Sequence, residues 1–274
     1  PALNKVFEQY SIDAVIHTAA FKSIEESRLK PLEYYNDNLS CIMSLMRSMQ
    51  RTGVRNLVHL SSLAVYGQSS LGLNENTPFN FNNSNPYIKS QQMIEEIIRD
   101  TVKTDNEWNV AILRIGNVVG AFEQAVLGEF VQPLPKNIVP LALQVATMQR
   151  DYIELQQTAQ TEDQTVERSF VHVLDVCDAI FASLYWFNHQ QNVCESFDIG
   201  GYSLSIQQIL TEIEKVTGQQ IKTIDATYSF DELDQIGSNS SKAEQLLGWK
   251  AKRSVEKMIQ DQWQFYQSTL NLSG

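Results

Sequence analysis

The segment NLVHLSSLAVYG, residues 56–67, decides the fold class. Its first half is a short apolar run typical of a buried parallel strand, and two serines follow where that strand should end. One helical pattern precedes it, with Pro31 at its start and Gly53 after its end, as helices prefer, and another begins at Pro86. Two further strands of this type are DAVIHT (13–18) and NVAILRI (109–115). Strands that alternate with helices predict a doubly wound α/β fold with a parallel sheet.

Beyond Gly116 the alternation gives way to a stretch from about 117 to 169 whose Gly, Pro and Gln content predicts irregular structure. The pattern then resumes with predicted strands at 169–173 and 197–199, and with predicted helices at 175–187, 205–216, 241–247 and 254–268. We therefore expect residues 1–116 to form a partial dinucleotide-binding domain, with 169–199 packing back on it. Residues 117–274 should form mainly a smaller α+β part that binds substrate.

Composition excludes several classes of protein. The chain has a formal net charge of −11, and its acidity is spread out, which argues against a nucleic-acid-binding surface. Cys41, Cys177 and Cys194 lie far apart without CxxC spacing, so we expect a reduced, cytoplasmic protein. No run reaches the roughly 18 apolar residues of a membrane span. No spacing of His, Cys and Asp predicts a metal site, and His17 and His59 are interpreted as buried core residues.

Two hydroxyl side chains carry the candidate chemistry. Ser62 follows a strand, and Tyr87 opens a helix 25 positions later. Both positions belong to the carboxyl edge of a parallel sheet, where open α/β sheets bind ligands. A phenol with an ordinary pKa near 10 can act as a general base only if its surroundings lower that pKa, and a neighbouring serine can hold or relay the proton.

These residues belong to motifs that resemble the extended short-chain dehydrogenase/reductase family, and in particular the UDP-galactose 4-epimerases. The motifs occur in the family's order along nearly the whole chain. They are DAVIHTAAFKSIEESRLKPLEYYNDN (13–38), HLSSLAVYG (59–67), NPYIKSQ (85–91), LRIGNVVGA (113–121), PKNIVP (135–140), RSFVHVLD (168–175) and SKAEQLLGW (241–249). No single motif is decisive, but a chance match to all of them is very improbable.

The resemblance implies a reaction and a set of site residues. Epimerases of this kind remove a hydride from C4 of a UDP-hexose to NAD, rotate the keto sugar and return the hydride to its other face. Position by position, the resemblance assigns catalysis to Ser62 and Tyr87, cofactor contacts to Lys22, Asn38 and Tyr87, UDP contacts to Asn117 and Asn137, and a diphosphate contact to Arg168. It also implies a homodimer that packs through helices 31–52 and 86–103.

The chain departs from the family pattern at several places. Gln91 stands where the family has the lysine that lowers the pKa of the tyrosine. The glycine-rich GxxGxxG turn that binds the pyrophosphate is absent from these residues, so we expect a Rossmann-like sheet without its first βα units and with DAVIHT as an exposed edge strand. The stretch TYSFDELDQIG (227–237) lacks the family's second arginine, and Ser169 replaces an aspartate.

Three functions follow as alternatives. The first is an NAD-dependent nucleotide-sugar 4-epimerase with Tyr87 as its base. The second is a degenerate relative that keeps the fold but has lost turnover and acts as a binding or partner protein. The third is a nucleotide-sugar dehydratase or reductase, against which Leu63 and Ala64 argue because dehydratases have an acidic pair there. The missing cation at Gln91 predicts weak or absent activity.

Overall fold

The structure is a computed structural model that describes residues 2–67, 73–81, 85–122, 127–129, 135–157, 161–226 and 239–271. Its helices are α1 (Ala2–Gln9), α2 (Ile24–Leu29), α3 (Pro31–Thr52), α4 (Pro86–Lys103), α5 (Ile138–Ala146), α6 (Val173–Phe187), α7 (Ile206–Thr217), α8 (Ser241–Leu247) and α9 (Val255–Asn271). Its strands are β1 (Ala14–His17), β2 (Asn56–Ser62), β3 (Asn109–Ile115), β4 (Asn117–Val119), β5 (Ala121–Phe122), β6 (Leu127–Gly128), β7 (Ile153–Leu155), β8 (Glu167–His172), β9 (Val193–Ile199), β10 (Tyr202–Ser205) and β11 (Thr223–Asp225).

The central sheet confirms the predicted fold class. Its strands run in the order β1-β2-β3-β9, and each neighbouring pair is parallel. Successive residues of β2 face opposite sides, so Leu57 packs beneath α3 and α4 while Val58 packs beneath α6 and α8. Helices therefore cover both faces, which is why apolar side chains occupy both faces of these strands along most of their length. β1 forms one edge of the sheet, as expected, and the side chain of Ile16 there is 46% exposed.

The two long helices begin and end where the sequence predicts. α3 has proline in its first turn, and Gly53 after it adopts a left-handed φ of 77° that closes the helix. α4 likewise starts with Pro86, and the side chain of Asn85 caps it by accepting a hydrogen bond from the Ile88 amide. The two helices pack side by side on the sheet. Their fixed ends matter because the start of α4 carries Tyr87.

The structure corrects several predicted boundaries. The stretch from 117 to 169, predicted to be irregular, contains α5 and the short strands β4 to β7. α5 is almost entirely buried, so it has no polar face and gives no helical period in the sequence. β8 begins at Glu167, two residues early, and α6 begins at Val173 because His172 caps it through Nδ1. β9 is also longer than predicted, beginning at Val193.

A second core lies beyond the central sheet. It is built from α5, α7 and α9 together with β8, whose Phe170 is fully buried. β8 pairs with β10 on one side and with β4 on the other, while β7 pairs with β11. The division at residue 116 stays a prediction. Within the described ranges, no helix is long and apolar enough to span a membrane.

Candidate active site

The predicted catalytic pair comes together at the carboxyl edge of the sheet. Ser62 is the last residue of β2, and its Oγ accepts a hydrogen bond of 3.2 Å from the Ala64 amide, which begins a 3₁₀ turn at 63–66. Tyr87 lies in the first turn of α4, and its side chain is hydrogen-bonded to that of Ser62. A strand end and a helix start thus place two hydroxyl groups in contact, although 25 residues separate them.

The surroundings of Tyr87 oppose its ionisation. Burial raises the pKa of the phenol, the hydrogen bond with Ser62 lowers it in part, and the nearby Tyr34 raises it again. Ser62 and Tyr34 are the two described side chains that act on this pKa, and neither is a cation. A proton leaves a phenol at neutral pH only when positive charge or hydrogen bonds stabilise the anion. As it stands, the pair holds its proton.

Gln91 fills the position where a lysine would supply that charge. It lies one helical turn after Tyr87 and is only 2% exposed. Within the described part of the chain its Nε2 has no hydrogen-bond partner. A buried amide N–H without an acceptor is rare, because the loss of water is then not compensated. Gln91 therefore offers a neutral donor that suits a ligand hydroxyl. A lysine ammonium at this position would also lower the pKa of Tyr87.

Asn38 and Lys22, predicted to contact the cofactor, are joined by the loop after β1. Asn38 is buried and accepts a hydrogen bond from the Phe21 amide (2.8 Å), while its Nδ2 donates to the Phe21 carbonyl (3.2 Å) and to Ser90 Oγ (3.1 Å). These contacts use the whole amide group to hold the loop in place. Lys22 is carried by this loop, and its side chain is 76% exposed. Direct cofactor contact by either residue stays a prediction.

Glu129, which the sequence did not single out, links the predicted cofactor and substrate residues. One of its carboxylate oxygens lies 3.9 Å from Lys22 Nζ and accepts a hydrogen bond of 2.9 Å from Asn137 Nδ2. Lys136 Nζ also donates to Ser23 Oγ at 2.9 Å, which ties the start of α5 to the same loop. Glu129 lies in a region without periodicity, so no sequence pattern pointed to it.

Asn117 and Arg168, the other predicted substrate residues, lie on the paired strands β4 and β8. Asn117 lies opposite Phe170, two residues along β8 from Arg168, so the pleat places both side chains on the same face of this sheet. Asn117 is exposed, and Arg168 Nη1 donates to the Glu167 carbonyl at 2.9 Å. The acidic stretch 227–237 lies outside the described residues, and the described part of the chain contains no group of three metal-ligating side chains.

A buried polar network supports the site from below. Glu95 of α4 accepts from Ser61 Oγ (2.6 Å) and from Arg114 Nη2 (2.7 Å), and Arg114 Nη1 donates to the Tyr66 hydroxyl (2.8 Å). The Tyr66 hydroxyl in turn donates to Asp198 Oδ1 (2.6 Å). Ser61, Arg114 and Asp198 lie opposite one another on β2, β3 and β9. The network therefore crosses the sheet one residue below the level of Ser62.

A further contact joins the helix of Tyr87 to the turn that follows Ser62. Gln92 is fully buried, and its Nε2 donates a hydrogen bond of 2.7 Å to the Val65 carbonyl. Together with Ser61–Glu95 and with the arginine between Glu95 and Tyr66, this makes three polar connections between α4 and residues 61–66. The distance between Ser62 and Tyr87 is thus set by a rigid frame.

Asp198 is the least satisfied member of this network. Burial raises its pKa from an ordinary 3.8 to about 7, the hydrogen bond from Tyr66 opposes the rise, and the carboxylate of Glu75 adds to it. Glu75 Oε1 accepts from the Asp198 amide at 2.9 Å, while Asp198 Oδ2 has no partner in the described residues. The loop 73–81 is therefore attached to β9 beside a carboxyl group that titrates near neutral pH.

Parallel strands flanked by helices, with a serine and a tyrosine in contact at the carboxyl edge, define the short-chain dehydrogenase/reductase class of fold and site. Within that class the family is plain. The model for the "NAD dependent epimerase/dehydratase family" matches residues 1–200, and the chain belongs to this family.

Relatives in this family are UDP-glucose 4-epimerases. The chain is 35% identical over 266 residues to UDP-glucose 4-epimerase 2 of Arabidopsis thaliana, covering 96% of this chain and 75% of that protein. It is 36% identical over 267 residues to human UDP-glucose 4-epimerase, covering 96% and 76%. The solved structure of the epimerase from Stenotrophomonas maltophila with bound NAD and formylated UDP-arabinopyranose has a TM-score of 0.94 at 28% identity, covering 99% of this chain and 81% of that one. The structure of the epimerase from Bifidobacterium longum in complex with NAD+ and UDP has a TM-score of 0.92 at 29% identity, covering 98% of this chain and 80% of that one.

Proposed function

We propose that this protein epimerises C4 of a UDP-hexose with NAD, and that it does so slowly. The observation that carries the proposal is the contact between Ser62 and Tyr87 at the sheet edge, with a glutamine one helical turn beyond. The relatives' complexes with NAD and UDP support the choice of ligands. When bound, NAD accepts the hydride from the sugar and gives it back.

The chain's own residues would bind and orient the two ligands. Tyr87 would take the proton from the sugar hydroxyl, and Ser62 would hold that hydroxyl in place. The orphaned Nε2 of Gln91 fits a ribose hydroxyl of the cofactor, since it is a buried donor that lacks an acceptor. Asn117, Asn137 and Arg168 would face the uridine and the phosphates of the UDP-sugar, where a guanidinium fork suits phosphate oxygens. Lys22 would contact the cofactor.

The predicted slowness follows from charge. Residues four apart on a helix lie about 6 Å from each other, and at an effective dielectric constant of ~20 a unit charge at that distance is worth roughly 3 kcal/mol, or about two pKa units. Gln91 is neutral and does not stabilise the phenolate in this way. Burial already raises the pKa of Tyr87, so the fraction of ionised base at neutral pH is very small.

A binding or partner role without turnover is the second candidate, and the absence of a cation beside Tyr87 among the described residues favours it. The dehydratase alternative is weaker. Leu63 and Ala64, where dehydratases have an acidic pair, are both buried apolar side chains. Nothing at these two positions can donate or accept a proton for elimination chemistry.

The test restores the cation and measures interconversion of UDP-galactose and UDP-glucose in a coupled assay with NAD supplied. Gln91→Lys should raise kcat, by up to about a hundredfold, and should shift the rising limb of the pH–rate profile to lower pH. Thr104→Lys adds the same charge at the exposed far end of α4, away from Tyr87, and should change little. Equal kcat values for the wild type and Gln91→Lys would refute the charge argument. Absence of turnover in both would support the binding role.

We also propose a homodimer in which α3 and α4 of the two copies pack together. Both helices keep exposed apolar side chains outside the core, with Leu32 78% and Met93 37% exposed. Light scattering on the purified protein should give twice the chain mass, and Met93→Glu should reduce it to that of a monomer. A cytoplasmic location stays a prediction from composition.

A further inference from the structure

A second cluster of reactive side chains lies away from the candidate active site, beneath the edge strand β1. His17, the last residue of β1, lies opposite His59 on β2, and their Nδ1 atoms are 2.9 Å apart. The rings are nearly parallel, with centroids 5.1 Å apart. On its other side, His17 Nε2 lies 3.5 Å from Cys41 Sγ on α3. Thiol, imidazole and imidazole thus form one hydrogen-bonded chain.

The burial of the two histidines fixes where their hydrogens lie. Burial lowers the pKa of His59 to about 3, and it also lowers the pKa of His17, so both rings are neutral at pH 7 and each carries one hydrogen. The short contact between the Nδ1 atoms requires one of these hydrogens. His59 Nε2 is buried and has no partner within the described residues. A buried N–H group without an acceptor is rarer than a buried acceptor without a donor. We therefore place the hydrogen of His59 on Nδ1, from which it is donated to His17.

This assignment determines what faces the thiol. Since His17 Nδ1 accepts from His59, His17 must carry its own hydrogen on Nε2, the atom beside Cys41. A fixed N–H donor therefore points at the sulfur, and hydrogen bonds to an anion are stronger than those to a neutral group. The donor stabilises a thiolate without requiring a charged imidazole. The pair differs from a nucleophile and its general base, because His17 donates a hydrogen bond to the sulfur and does not accept the thiol proton.

The other two cysteines supply an internal comparison, because all three are half-buried. Burial raises the pKa of Cys177, with the nearby Asp178 adding to the rise, and burial raises the pKa of Cys194 to about 11. Both thiols are thus held in their unreactive protonated form. Cys41 differs from both in that an imidazole N–H points at its sulfur.

From this geometry we propose that Cys41 is a modification site for small uncharged electrophiles. His17 activates the thiol, and His59 fixes the tautomer of His17. In the reaction with iodoacetamide, the thiol proton passes to water and the sulfur forms a bond to the methylene carbon. The carbon–iodine bond breaks as that bond forms, and iodide leaves. The site is separate from Ser62 and Tyr87, so this proposal does not depend on the proposed epimerase activity.

The test is competitive labelling of the native chain by a limiting amount of iodoacetamide at pH 7.5, with peptide mass spectrometry to give a rate for each cysteine. Cys41 should react about tenfold faster than Cys177 and Cys194. His17→Phe should slow the labelling of Cys41 about tenfold, while the rates of Cys177 and Cys194 should not change. His59→Phe keeps His17 but allows its hydrogen to lie on either ring nitrogen, so Cys41 should label at an intermediate rate.

The nitrogen-15 NMR measurement described below uses the wild type, so the proposal is tested even if a variant fails to fold, as judged by near-ultraviolet circular dichroism. The idea is overturned if Cys41 labels no faster than Cys177 or Cys194 in the native protein. It is also overturned if a folded His17→Phe variant keeps the fast rate. Nitrogen-15 NMR provides a separate measurement, in which His17 should show its hydrogen on Nε2, and a hydrogen on Nδ1 would contradict the assignment.

Discussion

Asp198→Asn should make the stability of this protein markedly less dependent on pH. The native carboxyl has a pKa of about 7 against an ordinary 3.8, because burial disfavours its charge and Glu75 lies nearby. A group whose pKa is raised in the fold stabilises the protein fully below its unfolded pKa, and that stability is lost as the pH rises through the folded pKa. For Asp198 the window is therefore from about pH 4 to about pH 7.

The size of the effect follows from the shift. About three pKa units at ~1.4 kcal/mol each give an upper estimate of roughly 4 kcal/mol, reached above pH 7. Asparagine has nearly the same shape as aspartate. Its carbonyl oxygen can still accept the hydrogen bond from Tyr66, and its amide nitrogen replaces an oxygen that has no partner among the described residues. The variant should accordingly match the wild type at pH 4 and exceed it at pH 8.

The measurement is urea unfolding followed by tryptophan fluorescence at half-unit steps between pH 4 and pH 8. The difference in free energy of unfolding between the two proteins should grow through this range and then level off. A difference that stays constant with pH would refute the reasoning. Tyr66→Phe serves as the second variant. It removes a hydrogen bond that lowers the pKa of Asp198, so the levelling-off should move to higher pH.

Three further outcomes are expected from the same unfolding measurements. Arg114→Met should cost about 3–5 kcal/mol at pH 7, because it leaves the fully buried Glu95 without its closest cation. His59→Phe should reduce the loss of stability on acidification below pH 6.5, since burial lowers the pKa of this histidine and its protonation favours the unfolded chain. Gly120→Ala should cost more than about 2 kcal/mol, because the backbone has a φ of +95° and a Cβ would lie 2.6 Å from His172 Nε2. Effects near zero at all three positions would contradict the packing described here.

The parts of the fold that the sequence predicts well are those where one local rule acts alone. Pro31, Gly53 and Pro86 mark the ends of α3 and α4 because proline and glycine restrict or free the backbone itself. The predicted bounds of β3 are also those of the structure, since its neighbours on both sides keep it buried and mostly apolar. The meeting of Ser62 with Tyr87 follows from strand and helix order.

What the sequence could not show depends on tertiary contacts. α5 is covered on nearly every side, so its apolar residues have no polar residues between them to mark a period. Glu129 acquires its role only where a later segment meets Lys22 and Asn137. The histidines of β1 and β2 are predicted correctly as buried, but their contact depends on strand register, which no local pattern in this chain fixes.

The residues of α4 that hold the helix in place differ from the residue that determines the charge beside Tyr87, and this has an evolutionary consequence. Gln92 and Glu95 connect the helix to the turn after Ser62, whereas Gln91 takes no part in those connections. Lysine and glutamine codons differ by one base, so a single nucleotide change can exchange the two at position 91 while the surrounding scaffold stays intact. Under the proposed function, a lineage carrying this architecture can thus lose or regain catalytic speed in one mutational step, without first having to rebuild its fold.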